Sequence, residues 1–343
     1  MKTSVVILNY NTKHYLQQFL PGLLASCEGE NARVVVADNA STDGSVELLR
    51  SEFPEVPLIV LEENYGFAGG YNRALQEIEA EYFVLINSDI EVPPGWLRPL
   101  TEWMDSHPTC GACGPKLLSY KERDRFEYAG AAGGRVDRYG YPFCRGRVLQ
   151  QVEKDHGQYD TPADVLWVSG ACLMVRASLW KGLGGLDKRF FAHMEEIDLC
   201  WRMQLRGWTV SVVPQSKVYH IGGGTLPNES PFKLRLNFRN NLLLLENNLP
   251  ATFAAEGLDE KKARRKARRR IFARQLLDGC SALVYLVTGR RSFYQAVLHA
   301  HQEYRQLRTK GEIPPSPQKP EGLYNGWIVP KGLFCKKGIL EIP

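Results

Sequence analysis

The sequence predicts an α/β protein: an open, largely parallel twisted sheet with helices on both faces, followed by a helical C-terminal extension. Three observations carry this expectation. Continuous apolar runs alternate four times with helical stretches between Thr3 and Ile86, and crossovers this regular wind right-handed into a parallel sheet. Each run ends abruptly in polar residues, as in Val84-Leu85-Ile86-Asn87-Ser88-Asp89, where Pro93, Pro94 and Gly95 then stop the strand. Beyond residue 230 the composition changes to leucine-rich and then basic helical segments.

The elements follow in order. Residues 3–9 form a strand, and Leu16, Phe19, Leu20, Leu23 and Leu24 mark the helix after it. Arg33 to Asp38 is a second buried strand, and Asn39-Ala-Ser-Thr-Asp-Gly-Ser45 is a turn and helix-cap cluster. Pro57 to Leu61 is a third strand, Gly66 to Ile78 a glycine-opened helix, and Tyr82 to Ile86 a fourth strand. Trp96 to Met104 reads as helix and Gly111 to Leu118 as a return to the sheet. From Ser119 to Pro162 no period is visible, which suggests a long surface excursion with a hairpin around Tyr139-Gly140. Asp164 to Val175 is a strand pair broken by Gly170. Ile197, Trp201 and Leu205 then share a helix face, Trp208 to Val213 is a strand, and Val218 to Gly224 is a loop. The organisation expected is a body over 1–230, a helical basic extension over 231–310 and a proline-rich tail over 311–343.

Composition narrows the class. Charged residues are 24% of the 343, mean hydropathy is −0.30, and no apolar stretch approaches the ~20 residues of a membrane span. A strand begins at Thr3, leaving no room for a signal peptide, so the expectation is a cytoplasmic protein with its eight cysteines reduced. Cys110-Gly-Ala-Cys113 is a lone CxxC without a second pair, too little for a zinc site.

Four stretches and one histidine carry chemistry, and each has a plainer reading. Asn87, Ser88 and Asp89 at a strand end offer hard oxygen ligands suited to Mg²⁺ or Mn²⁺ with phosphate, or simply an Asx turn. Asp38, also at a strand end, can accept from a base or a ribose hydroxyl, while a helix cap explains Asn39 to Ser45 as well. Asn64-Tyr-Gly-Phe-Ala-Gly-Gly-Tyr-Asn-Arg-Ala74 opens a helix with glycines that let backbone N–H groups approach a phosphate, with Arg73 adding a cation. Close packing of that helix on the sheet would require the same glycines. Glu195, Glu196 and Asp198 crowd one helix start, where the helix dipole favours acids, yet crowding in a cleft also makes a general base. His220, in a glycine-rich loop, is a candidate metal ligand or a structural histidine.

Taken together these stretches resemble glycosyltransferase family 2, inverting enzymes of the GT-A fold, and most closely its rhamnosyltransferase-like branch. Ser4-Val-Val-Ile-Leu-Asn-Tyr-Asn11, Val36 to Gly44, Glu63 to Asn72, Leu85-Ile-Asn-Ser-Asp89, Gly185 to Phe191 and Glu195-Glu-Ile-Asp-Leu199 carry the resemblance, which covers residues 1–245. It implies a UDP- or dTDP-linked sugar donor, rhamnose among the candidates, lying across the strand ends of a catalytic body at 1–230. Asn9 and Asp38 would hold base and ribose; Asn64, Gly69, Gly70, Asn72 and Arg73 would line the nucleotide pocket; Asn87 and Ser88 would assist through neutral oxygens. Asp89 and His220 would bind the cation, with Asn87 standing where the family's metal motif has its first aspartate. Glu196 would be the base, Glu195 its neighbour, and Asp198 would orient the acceptor. The motif of processive synthases is interrupted by Arg206-Gly207-Trp208, so the expectation is a metal-dependent hexosyltransferase adding one sugar per encounter to a glycan or lipid-linked acceptor in surface polysaccharide synthesis. A nucleotidyltransferase and a noncatalytic nucleotide-sugar-binding protein are the rival readings.

The net charge of +5 is concentrated: nine basic and no acidic residues lie between Lys261 and Arg274, followed by Phe272, Leu276, Cys280, Leu283, Val284 and Val287 at helical spacing. A basic stretch joined to an apolar helical face suits an anionic membrane surface, so peripheral contact through 261–287 at the inner face of the cell membrane is expected. Docking of the helix on the body is the alternative; nucleic acid is not expected as a partner, and a homodimer is compatible with the sequence.

Overall fold

The structure is a computed structural model that describes residues 1–222 and 230–334. Gly223, Gly224 and the end of the tail from 335 onward lie outside the described residues. The first half alternates as the apolar runs require: β1 (Thr3–Asn9), α1 (Lys13–Cys27), β2 (Ala32–Asp38), α2 (Ser45–Glu52), β3 (Leu58–Val60), α3 (Gly66–Ala74) and β4 (Tyr82–Ile86). β1 lies between β2 and β4 and parallel to both, with Asn9 level with Asp38 and Ile7 level with Ile86. Period-two alternation splits the core: Val5 and Ile7 pack with Leu16, Leu20 and Leu97 on one face of the sheet. Val6 packs with Tyr71, Trp180 and Trp201 on the other.

β5 (Ile90–Glu91), α4 (Leu97–Ser106) and β6 (Cys110–Ser119) follow. The 119–162 stretch is no loose excursion: β7 (Gly134–Asp137), β8 (Pro142–Cys144), β9 (Arg147–Val148) and β10 (Gln151–Val152) form a second small sheet. These strands span two to four residues, too few for a period to show in sequence. The hairpin expected at Tyr139-Gly140 is present as the antiparallel β7–β8 pair, with Gly140 at φ +85° in its turn. Lys116, fully buried on β6, anchors the segment through Asp155 at 2.9 Å and through Asp160.

The chain then adds β11 (Ala163–Asp164), β12 (Cys172–Arg176), α5 (Ala177–Gly182), α6 (Glu195–Gln204) and β13 (Thr209–His220). Among the described residues the main sheet runs β11-β13-β6-β12-β4-β1-β2-β3, with β5 paired to β13. It is parallel apart from the antiparallel pairings of β12 with β4 and β6, of β11 with β13 and of β5 with β13. β13 departs from expectation. It continues past Val213 to His220, because the register shift between Val213 and Lys217 accommodates Pro214, and the segment read as a loop is a strand end.

α7 (Pro231–Ala255), α8 (Glu260–Val287) and α9 (Arg291–Leu307) complete the helical part. Ser230 and Asp259 cap the first two, accepting from the backbone N–H of Lys233 and Lys262. α7 joins the core of the body: Leu242 to Leu245, Leu249 and Phe253 pack in the same cluster as Trp201, whose indole N–H donates to Thr252 at 3.0 Å. The proline-rich segment crosses back over the body, adding β14 (Leu323–Tyr324) beside β7 and burying Ile328 from α10 (Ile328–Phe334).

Candidate active site

The parallel register brings the ends of β1, β2 and β4 to one edge of the sheet, which is where open α/β sheets bind ligands. Asn9 and Asp38 are both fully buried. Asn9 Nδ2 donates to Asp38 Oδ2 at 2.7 Å and to Ser41 Oγ at 3.1 Å, and the Ser41 N–H donates to Asp38 Oδ1 at 2.8 Å. The Thr12 hydroxyl donates to Asn9 Oδ1 at 2.5 Å and sits 2.8 Å from Ser88 Oγ. One polar chain thus runs Asp38–Asn9–Thr12–Ser88 across three strand ends. Thr12 escaped the sequence reading, since a threonine just before a helix reads as a cap, and here its hydroxyl caps nothing.

The glycine-rich helix behaves differently. A Cβ on Gly69 would meet Tyr65 Cβ at 2.9 Å, and one on Gly70 would meet Leu8 Cδ2 at 2.8 Å, so both glycines serve close packing against the preceding turn and β1. Asn72 faces another way, exchanging hydrogen bonds with the backbone of Leu186 at 2.7 and 2.9 Å. Arg73 is exposed and its guanidinium lies 3.3 Å from the Tyr65 ring centroid. Asn64 accepts from Asn39 Nδ2 at 3.0 Å and from the Gly66 N–H at 2.9 Å, tying its turn to the end of β2.

A second cluster forms around Asp89. Ile90 pairs with His220 across β5 and β13, which sets the two side chains together. His220 Nε2 lies 3.1 Å from Asp89 Oδ1 and 3.4 Å from Asn87 Nδ2, while its Nδ1 lies 3.3 Å from Glu127 Oε1. Burial works against charge on the imidazole, but the Glu127 and Asp89 carboxylates outweigh it and raise its pKa to about 10. Burial likewise pushes Asp89 up, and the hydrogen bond and charge of His220 more than reverse this, holding its carboxyl below the usual range. Glu127 is 5% exposed and comes from the aperiodic 119–162 stretch, where no sequence signal marked it. Among the described residues no group of three or more His, Cys, Asp or Glu side chains could hold a metal ion. Asp89 and His220, one carboxylate and one imidazole that has to give up its extra proton as the metal binds, fit a Mg²⁺- or Mn²⁺-type ion that takes its other ligands from a diphosphate and water.

The third cluster is the start of α6. Glu195 is buried, with one carboxylate oxygen lacking a partner; Glu196 is half-buried, flanked by Gly170 and Phe67, and also has an unpartnered oxygen. Gly170 precedes β12, whose Cys172 pairs with Ile86, so Glu196 borders the same sheet edge as Asp89. Burial raises both carboxyls. Backbone N–H groups of the helix start partly offset this at Glu196, whereas the charge of Glu196 lifts Glu195 further. The pair therefore holds its protons to higher pH than free glutamates do, Glu195 the more strongly of the two. Asp198, close enough for its charge to add to the rise at Glu195, turns its carboxylate to α7: it is fully buried, accepting from Arg202 at 2.7 Å, Asn247 at 2.9 Å and Asn248 at 2.8 Å.

Comparison with known proteins bears on this arrangement. The profile described as Glycosyl transferase family 2 matches residues 4–176, just over half of the chain. An N-acetylglucosaminyl-diphospho-decaprenol L-rhamnosyltransferase of Mycobacterium tuberculosis is 28% identical over 234 residues, covering 63% of this chain and 75% of that protein. Among solved structures, GalNAc-T7 with UDP, GalNAc and Mn2+ aligns with a TM-score of 0.56 at 16% identity, over 78% of this chain and 54% of that one, so the chain spans about half its length. Residues 1–349 of S. aureus TarS in complex with UDP-GlcNAc align with a TM-score of 0.50 at 19% identity, over 94% of this chain and 98% of that one. At these identities the structural likeness is one of fold.

Proposed function

Because the chain belongs to glycosyltransferase family 2 and has the GT-A fold, we propose that it is a divalent-metal-dependent inverting hexosyltransferase with Glu196 as its base. The observation that carries the reading is geometric: Glu196, half-buried beside Gly170 and with a carboxylate oxygen that has no partner, borders the same sheet edge as Asp38 and Asp89. Glu196 takes the proton of an acceptor hydroxyl as that oxygen bonds to the anomeric carbon of the donor. The bond from that carbon to the diphosphate oxygen breaks on the opposite face, its electron pair leaves with the diphosphate, and configuration inverts. A Mg²⁺ or Mn²⁺ ion held by Asp89 and His220 would supply positive charge to the departing diphosphate. Asn9 and Asp38 hold base and ribose, with Thr12 and Ser88 fixing their geometry.

The M. tuberculosis relative, named for transfer of L-rhamnose to an N-acetylglucosaminyl-diphospho-decaprenol acceptor, supports rhamnose as the sugar and a lipid-linked glycan as the acceptor, with a UDP- or dTDP-linked donor as the family resemblance implies. The test is incubation with labelled dTDP-rhamnose, UDP-sugars and nucleoside triphosphates. Transfer or slow donor hydrolysis supports the reading; consumption of triphosphate alone would indicate a nucleotidyltransferase, and binding without turnover a noncatalytic protein. Glu196→Gln should lose turnover by a factor of about 10² or more while dTDP still binds; near-normal turnover would sink the assignment.

A lipid-linked acceptor makes membrane contact useful, and α8 supports it. Its buried face is Ala263, Ala267, Ile271, Arg274, Asp278 and Ala282. The opposite face begins with exposed Arg265, Arg268 and Arg269 and continues with Phe272, Leu276, Leu283 and Val287, which are 57–74% exposed. Part of the basic run does turn inward: Arg270 donates to the Arg138 carbonyl at 2.6 Å and Arg274 pairs with Asp278 at 2.7 Å. No helix among the described residues is long and apolar enough to cross a membrane. The remaining stripe fits peripheral attachment at the inner membrane face. Flotation with phosphatidylglycerol vesicles checks this, comparing the full chain with a Phe272→Ser, Leu276→Ser, Leu283→Ser triple variant, since deleting the extension would remove core residues of α7. Equal flotation rules the stripe out as the anchor; a change from dimer to monomer without loss of flotation would assign it to self-association.

A further inference from the structure

The segment that delivers Glu195 and Glu196 is strained. Phe191, His193 and Met194 have φ of +64°, +73° and +72°, three non-glycine residues of four in the left-handed region immediately before α6. Such residues persist only where their surroundings over-determine them. What determines it here is α7. Asn240, fully buried, directs Nδ2 at three carbonyls: Phe190 at 2.9 Å, Ala192 at 2.8 Å and His193 at 2.7 Å. Arg239 adds Nη2 to the Phe190 carbonyl at 2.7 Å and is itself fixed by Glu303 of α9 at 3.1 Å. On its other side the segment meets the glycine-rich helix. The Ala68 N–H donates to the Phe191 carbonyl at 3.1 Å, and a Cβ on Gly66 would lie 2.5 Å from Phe191 Cδ2.

Converging carbonyls repel one another unless a donor sits among them, and an amide NH₂ has two protons to share among these three. Removing that donor takes the Asn240 hydrogen bonds from the Ala192 and His193 carbonyls and leaves Phe190 only with Arg239 and the Ala192 N–H, and the turn then relaxes toward ordinary φ values. The first residue the relaxation moves is Met194, whose carbonyl accepts from Asp198 N at 3.0 Å at the start of α6.

We propose that Asn240 is a positioning residue of the transfer reaction: by gathering the carbonyls of Phe190, Ala192 and His193 it fixes the left-handed turn that presents Glu196 to the acceptor hydroxyl. The inference rests on Glu196 being the base. It also gives the helical extension a part in catalysis, because the residue that sets the base lies on α7.

The decisive variant is Asn240→Asp, which keeps the size and replaces the donors by acceptors, with Asn240→Ala beside it and Arg239→Lys as a milder perturbation should either fail to fold. On the full chain, turnover of dTDP-rhamnose, calorimetric affinity for dTDP with Mn²⁺ and amide hydrogen exchange over 190–197 are measured together. Asn240→Asp is expected to lower kcat about 10- to 100-fold, the usual result of misplacing a reacting group by about an ångström, with dTDP affinity within about twofold of the parent and faster exchange confined to 190–197. Arg239→Lys should show the same pattern, weaker. Unchanged kcat despite faster exchange, or a fall in kcat matched by an equal loss of dTDP affinity, would overturn the proposal. Glu196→Gln is run alongside: if it retains turnover, the base assignment fails and takes this role with it. If it is inactive while Asn240→Asp is fully active, only the role of Asn240 fails.

Discussion

Glu195→Gln should flatten the pH dependence of stability. Glu195 is 4% exposed, one of its oxygens has no partner, and burial followed by the nearby Glu196 charge holds its pKa well above the ordinary glutamate range. The folded chain therefore keeps a proton that the unfolded chain releases near its unperturbed pKa of about 4.3. The stability this group contributes is complete below that pH and is lost as pH rises toward the folded-state value. Over that window one proton accounts for about 1.4 kcal/mol per pH unit. With an unfolding entropy of about 2.1 cal/mol/K per residue, the full chain converts this to a Tm shift of about 2 °C per unit. As pH rises above about 5 the parent should lose stability relative to Glu195→Gln at up to this slope, until the folded-state carboxyl also ionises. Scanning calorimetry of both proteins at constant ionic strength gives the difference curve, in which titrating groups not coupled to Glu195 cancel and what remains is the titration of the Glu195–Glu196 pair. A difference constant to within about 1 °C across this window would show that Glu195 ionises as readily in the folded chain as in the unfolded one. The upward shift that burial and the Glu196 charge impose on Glu195 would then be refuted.

Two further predictions concern the cation. Asp89→Asn should abolish Mn²⁺-dependent tightening of UDP or dTDP binding, whereas Asn87→Asp, which supplies a second carboxylate beside His220, should tighten Mn²⁺ by roughly tenfold, read by titration against the free-ion electron paramagnetic resonance signal. Equal Mn²⁺ affinity in all three proteins would remove Asp89 from the metal site. Glu127→Gln should weaken Mn²⁺ by about 10- to 100-fold without touching a ligand, because the carboxylate 3.3 Å from His220 Nδ1 orients the ring; unchanged affinity would reduce Glu127 to a packing role.

The parts of the fold legible in the sequence are those with a local signature. β1, β2 and β4 are buried on both faces, so they read as unbroken apolar runs, and the polar residue ending each run is necessarily at the sheet edge, which is why Asp38 and Asp89 stood out. His220 was readable as a candidate but not as a strand end, because Pro214 and the polar Gln215, Ser216 and Lys217 interrupt the period where β13 bulges. Glu127 had no signature, since its place beside His220 depends on how an aperiodic stretch folds back. Gly69 and Gly70 show a different limit. A glycine reports only that some group comes close, and here the groups are Tyr65 and Leu8 of the protein itself. The acidic run shows the deepest one. Glu195 and Glu196 are chemically identical neighbours, but successive residues on a helix point about 100° apart. One enters the core and the other the sheet edge, and the stronger rise in the pKa of Glu195 follows from that turn of the backbone. The backbone is held in turn by Asn240, whose one visible sign in the sequence is an amide pair, Asn240-Asn241, set just ahead of a run of leucines on a buried helix. Fully buried amides in such a helix must be hydrogen-bonded to something, so the question the sequence did pose at residue 240 was which backbone they hold.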